Sequence, residues 1–93
     1  MGFEWDDDKA DANERKHGVT FAEVATVFDD PLSLTGYDPD HSDEEDRFIS
    51  MGQSAEGRLL IVSHTDRGDK IRIISARVAS RAERKDYEDG SFP

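Results

Sequence analysis

Ninety-three residues suffice for one small domain with a thin core, since only 34 % are apolar while 37 % are charged. A formal net charge of −10 argues against a protein that is basic throughout. The absence of cysteine excludes disulfides and thiolate zinc sites, and no stretch approaches the roughly 20 apolar residues of a membrane span.

In chain order, residues 3–5 alternate apolar with polar and predict a short edge strand, with Trp5 as a core anchor. Residues 1–6 lack the basic and apolar regions of a signal peptide, so a cytoplasmic protein without membrane association is expected. Asp6 suits an N-cap, and Asp7 and Asp8 suit the positive end of the helix behind it. That helix is predicted to run to about His17 and to stop at Gly18. Its apolar face is little more than Ala10 and Ala12, which places it on the surface with Asn13 and His17 turned inward. Thr20 and Glu23 have capping-box spacing. Phe21, Val24, Ala25 and Phe28 then make the i, i+3, i+4, i+7 face of a second helix, which ends at Asp29, Asp30 and Pro31. Residues 32–35 alternate as a strand.

The turn over residues 37–46 holds Asp38, Asp40, Asp43, Glu44, Glu45 and Asp46. Their spacing does not fit an EF-hand loop, and a solvated hairpin tip is expected. Residues 47–53 form the next strand. Two β-branched runs, 59–63 and 71–75, then flank a polar connection with Asp66, Gly68 and Asp69, which predicts a hairpin inside a sheet. Ser80 and Glu83 repeat the capping box and open a helix through about Tyr87, and residues 88–93 are expected to form a flexible tail. The order strand, helix, helix, four strands, helix predicts an α+β fold in a single domain over residues 1–93. Four main strands form an antiparallel sheet, supplemented by the short N-terminal strand, two N-terminal helices and a C-terminal helix.

Charge is unevenly spread along these elements. Residues 1–46 carry three Lys/Arg against fifteen Asp/Glu, whereas residues 47–85 carry nine against four. Such asymmetry predicts one acidic and one basic surface. Screening at physiological salt acts over only about 8 Å, so a local basic patch can still meet phosphate. A hairpin core needs no row of cations, yet Arg58, Arg67, Lys70, Arg72 and Arg77 lie along this one. A polyanionic ligand is therefore expected.

Several blocks fall at the spacings of the BrnT toxin family. They include Phe3-Glu4-Trp5-Asp6, Lys16-His17-Gly18-Val19, Val27-Phe28-Asp29-Asp30-Pro31, Gly57-Arg58, Arg67-Gly68-Asp69 and Ile71 through Arg77, with Lys9, Asn13 and the segment from Arg84 to Tyr87. The chain resembles that family over residues 3 to about 88. The resemblance implies a RelE-like ribonuclease toxin of a type II toxin–antitoxin system, cleaving RNA without a metal and inhibiting translation and growth. It also implies neutralisation by a BrnA-type ribbon-helix-helix antitoxin, through which alone operator DNA would be bound. The alternative is a catalytically inactive BrnT-like binding module in a DNA-binding regulatory complex.

Metal-independent RNA cleavage uses the substrate's 2′-hydroxyl as nucleophile, so the protein must move protons and stabilise charge on phosphorus. Arginine's planar fork meets two phosphate oxygens at once. Arg67, Arg72 and Arg77 are the candidate catalytic phosphate cluster; Arg47, Arg58, Lys70 and Tyr87 are candidate RNA contacts. His64, on a sheet face shared with Leu60 and Val62, is the candidate proton-transfer group. His17 ends a helix and can interact with its dipole, and His41 can stitch the acidic turn. The three histidines are too separated to suggest a metal motif, and neither metal nor cofactor is expected. Asp66, Asp69 or Glu83 could instead neutralise Arg72 and Arg77 internally.

Overall fold

A computed structural model of the chain describes residues 2–91. Strand β1 (Gly2–Glu4) is followed by helices α1 (Asp7–His17) and α2 (Phe21–Ala25), strands β2 (Leu34–Tyr37), β3 (Arg47–Gln53), β4 (Leu59–Arg67) and β5 (Lys70–Val78), and helix α3 (Arg81–Asp89). The sheet has the order β1-β5-β4-β3-β2. The four main strands are antiparallel neighbours, as expected, while β1 joins the edge of β5 in parallel and makes the sheet mixed.

Helix α1 follows its local signals. The Asp6 carboxylate accepts from the Lys9 amide at 3.0 Å, and Gly18, at φ 68°, closes the other end with its amide on the Glu14 carbonyl at 2.8 Å. The second helix departs from expectation. It keeps α geometry only to Ala25 and tightens into a 3₁₀ turn over Thr26–Asp29. The Thr26 hydroxyl donates to the Glu23 carbonyl at 2.6 Å, a side-chain bond that competes with regular helix continuation. Thr20 caps the Glu23 amide at 3.2 Å, but the Glu23 carboxylate turns to Arg58 and Ser54 instead of back onto the cap. The capping box there is half made. Asp30 then bends the chain by accepting from the Leu32 amide, so β2 starts at Leu34 instead of residue 32.

Val19, Phe21, Val24 and Val27 from the helical layer meet Leu60, Val62, Ile73 and Ala76 of β4 and β5 in the core. Each fully buried large aliphatic side chain contributes roughly 1.5–3 kcal/mol, which lets a thin core hold a highly charged chain. Trp5 is an anchor, with its ring edge-on to Phe21 at 5.9 Å, and Phe3 packs on Phe28 at 5.4 Å. Gly52 of β3 passes beneath the 3₁₀ turn, where a Cβ would meet Val27 Cγ1 at 2.8 Å.

Strands β4 and β5 extend to nine residues each, beyond the β-branched runs that announce them. Gly68 takes φ 66°, so Gly68 and Asp69 alone make the turn and the polar residues on either side stay in the ladder. A bulge leaves Ile74 as an extra residue, since Ser63 pairs with Ser75 but His64 pairs with Ile73. Ile73 and Ala76, three positions apart, consequently both face the core. Helix α3 opens with the reciprocal Ser80–Glu83 capping box and continues to Asp89, where Gly90 closes it at φ 73°. Of the expected tail, Phe92 and Pro93 lie outside the described residues. No helix among the described residues is long and apolar enough to cross a membrane.

Candidate active site

With Leu60, Val62 and Ala76 in the core, strand alternation sends Ile61, Ser63, Ser75 and Arg77 to the opposite face. Ser63 and Ser75 share one rung with Ile49 of β3, and Ile61 shares the next with Arg77. These side chains, together with Arg47, floor a hollow of about 350 Å³. His17 enters its wall from the end of α1, and Asp38 and His41 enter from the loop between β2 and β3. The loop is stitched at the mouth of the hollow. The Asp38 carboxylate holds His41 Nδ1 at 2.8 Å, the Asp38 amide donates to the Arg47 carbonyl at 2.9 Å, and the Arg47 amide donates to the Ser42 hydroxyl at 2.9 Å. Beside the hollow, Asp40, Asp43, Glu44 and Glu45 line an acidic depression that shares His41 and Arg47 with it.

By register, Arg47, Arg67, Arg72 and Arg77 all belong to this face, with Arg47 and Arg72 flanking Thr65 on one rung. Each except Arg47 is held by a carboxylate from another element. Arg77 donates from both terminal nitrogens to Glu83 at 2.7 and 2.8 Å, and this fork holds the Glu83 carboxyl at about 2. Arg67 forks onto Glu45 at 3.1 and 3.0 Å, and Arg72 meets Glu4 at 2.9 Å. Internal pairing was thus foreseeable for Glu83, while the partners Glu4 and Glu45 come from distant sequence. Arg47 makes no ion pair among the described residues.

A family model described as the ribonuclease toxin BrnT of type II toxin–antitoxin systems matches residues 5–83. The chain belongs to the BrnT family. Its fold is similar to the crystal structure, at 1.1 Å resolution, of the Brucella abortus ribonuclease toxin BrnT, with a TM-score of 0.64 and 25 % identity over 87 % of this chain and 99 % of that one. No curated protein sequence matches the chain.

On this BrnT scaffold the other candidate residues lie apart from the hollow. His64 does share a face with Leu60 and Val62, but that is the core face, across the sheet from Arg77. It is 4 % exposed, bonds Ser50 Oγ through Nε2 at 2.7 Å, and sits between Phe28 and Phe48 at centroid distances of 5.1 and 6.0 Å. Burial lowers its pKa and favours the neutral ring. Arg58 sits at the far end of β4's approach, bound to Glu23 and, at 3.1 Å, to the Gly18 carbonyl. The Arg58 fork holds the Glu23 carboxyl at about 2. Lys70 is exposed at the hairpin turn. Tyr87 donates to Asp30 Oδ2 at 2.6 Å, a bond that raises its pKa to about 12 and ties α3 to the turn before β2. Ser63 and Ser75 escaped sequence reasoning. Their signal was the two-residue alternation opposite Leu60, Val62 and Ala76, obscured on β5 by the bulge at Ile74.

Proposed function

We propose that the chain is a metal-independent endoribonuclease toxin that cuts RNA in the hollow on the sheet face opposite His64. The observation that carries this reading is the convergence there of Arg47, Arg77, His17 and His41 from four elements, in a member of a ribonuclease toxin family. Arg47 and Arg77 would hold the scissile phosphate and stabilise the charge that gathers on it. His17 would take the proton of the 2′-hydroxyl as its oxygen bonds to phosphorus. The bond from phosphorus to the 5′ oxygen breaks, and His41, its ring oriented by Asp38, would return a proton to that oxygen. The products are a 2′,3′-cyclic phosphate and a 5′-hydroxyl. A BrnA-type ribbon-helix-helix antitoxin, covering this basic face and binding operator DNA for the pair, completes the reading.

The test is cleavage of a defined RNA by the purified chain with EDTA present, paired with growth after induction. Cleavage that persists in EDTA, and falls by roughly 10²-fold or more in Arg77→Ala and His17→Ala with folding intact by circular dichroism, supports the reading. Unchanged cleavage in both variants refutes the site. The inactive binding module is favoured by one observation, the pairing of Arg58, Arg67, Arg72 and Arg77 with carboxylates in a chain of charge −10. No cleavage by the wild type, with a stable complex formed by the neighbouring gene's product, would favour that alternative.

A further inference from the structure

One buried side chain joins α1, the turn beyond it and β5, which lines the hollow. Asn13, on α1, is 6 % exposed in a helix that is otherwise on the surface. Its Nδ2 donates to the Val19 carbonyl at 3.0 Å, and its Oδ1 accepts from the Ala76 amide at 3.0 Å. The first bond fixes the reversal just beyond His17, where Gly18 takes φ 68°. The second fixes β5 at the residue between Ser75 and Arg77, both of which line the hollow. His17 stands four residues after Asn13, one turn along the same helical face. A single amide therefore ties the segment that carries His17 to the strand that carries Arg77.

We propose that Asn13 is a positioning residue for the cleavage reaction, holding His17 against Arg77 without touching the RNA. This rests on the reading of the hollow as the cleavage site. The amide suits the task because one uncharged side chain is donor and acceptor at once. The β5 amide at Ala76 lies beyond β1, which pairs only with Lys70, Ile71 and Arg72, so Asn13 supplies a partner that the sheet does not. Arg58 supports the same reversal from the other side through the Gly18 carbonyl. The Lys-His-Gly-Val block thus has a geometric meaning. Gly18 turns the chain, Val19 is buried with its carbonyl on Asn13, and His17 is left at the hollow's wall.

The proposal separates rate from binding. Displacing one reacting group by about 1 Å can cost roughly 10²-fold in turnover while contacts to the rest of the substrate persist. Asn13→Ala and Asn13→Asp are compared with wild type in steady-state cleavage of one RNA oligonucleotide, below the melting temperature of every variant. Asp keeps the acceptor for Ala76 and, when ionised, lacks the donor for Val19. The expected result is a fall in kcat of roughly 10- to 100-fold with KM changed less than about threefold. Val24→Ala, a core variant away from the hollow, controls for lost stability and should keep its kcat. A kcat for both Asn13 variants no lower than that of Val24→Ala, while His17→Ala and Arg77→Ala are impaired, overturns the positioning role alone. Wild-type cleavage that is absent, or unaffected by His17→Ala and Arg77→Ala, overturns the cleavage site and this role together.

Discussion

Replacing Glu23 by Gln tests whether the buried clamp between α2 and Arg58 stabilises the fold. The Glu23 side chain is 3 % exposed and receives hydrogen bonds from Arg58, through Nε at 2.9 Å, and from Ser54 Oγ at 2.7 Å. Its carboxyl is lowered from 4.5 to about 2, chiefly by the Arg58 hydrogen bonds. That difference corresponds to about 3 kcal/mol of preference for the ionised form in the folded state. Arg58 keeps 39 % side-chain exposure, so solvent screening reduces the expected loss to about 2 kcal/mol. In a domain of this size about 1 kcal/mol moves the melting temperature by roughly 4–8 °C, which puts Glu23→Gln roughly 8–16 °C below wild type at pH 7. The sign with pH follows from the depressed carboxyl. The stabilisation is fully present above pH 4.5 and is lost as pH falls toward about 2, where Glu23 protonates in the folded state too. Melting curves of both proteins across that window should therefore converge at the acid end. A Glu23→Gln protein that melts with wild type at pH 7, or a gap that stays constant down to pH 2, refutes the reasoning.

Two further outcomes follow from packing and burial. Gly52→Ala should lose roughly 1–3 kcal/mol in urea titration, because the new methyl would meet Val27 Cγ1 at 2.8 Å and Ser33 Cβ at 3.0 Å; an unchanged midpoint would contradict that packing. His64 has a folded pKa below its ordinary 6.5 because it is buried, so the unfolded chain binds its proton first and stability falls as pH drops below 6.5. His64→Phe should flatten that part of the urea midpoint against pH while leaving RNA cleavage near wild type, and an unaltered slope would show that another group carries it.

Much of the local structure was legible because its causes are local. Asp6 and Gly18 bracket α1, Ser80 and Glu83 open α3, and β3 spans the residues 47–53 expected for it. Thr20 with Glu23 has the same spacing as Ser80 with Glu83, yet only the second pair closes its box. An arginine claims each glutamate, but Glu83 keeps one oxygen on the Ser80 amide at 2.8 Å while forked with Arg77. The Glu23 carboxylate is instead turned to Arg58, 35 residues away, and to Ser54. The site divides in the same way. The density of arginines marked Arg47, Arg67, Arg72 and Arg77 as one cluster, although simple alternation would split Arg72 from Arg77 and only the bulge at Ile74 brings both to one face. That density could not say that Glu4, Glu45 and Glu83 would each claim one of them, since ion pairing depends on distances between elements.

The histidines carry the same lesson. Sequence put His64 on the face of Leu60 and Val62 correctly, but which face would be covered by helices is decided only when α1 and α2 pack against β5. His17 and His41, 24 positions apart in the chain, reach one hollow because α1 ends beside β5 and the β2–β3 loop folds over Arg47. Composition, capping residues and periodicity thus determined the α+β order, both ends of α1, the start of α3 and the family blocks, through causes that act over a few residues. Which charges are neutralised, which imidazole is buried and which side chains share a cavity were decided by tertiary packing, because Coulomb energy, desolvation and steric contact depend on separation in space.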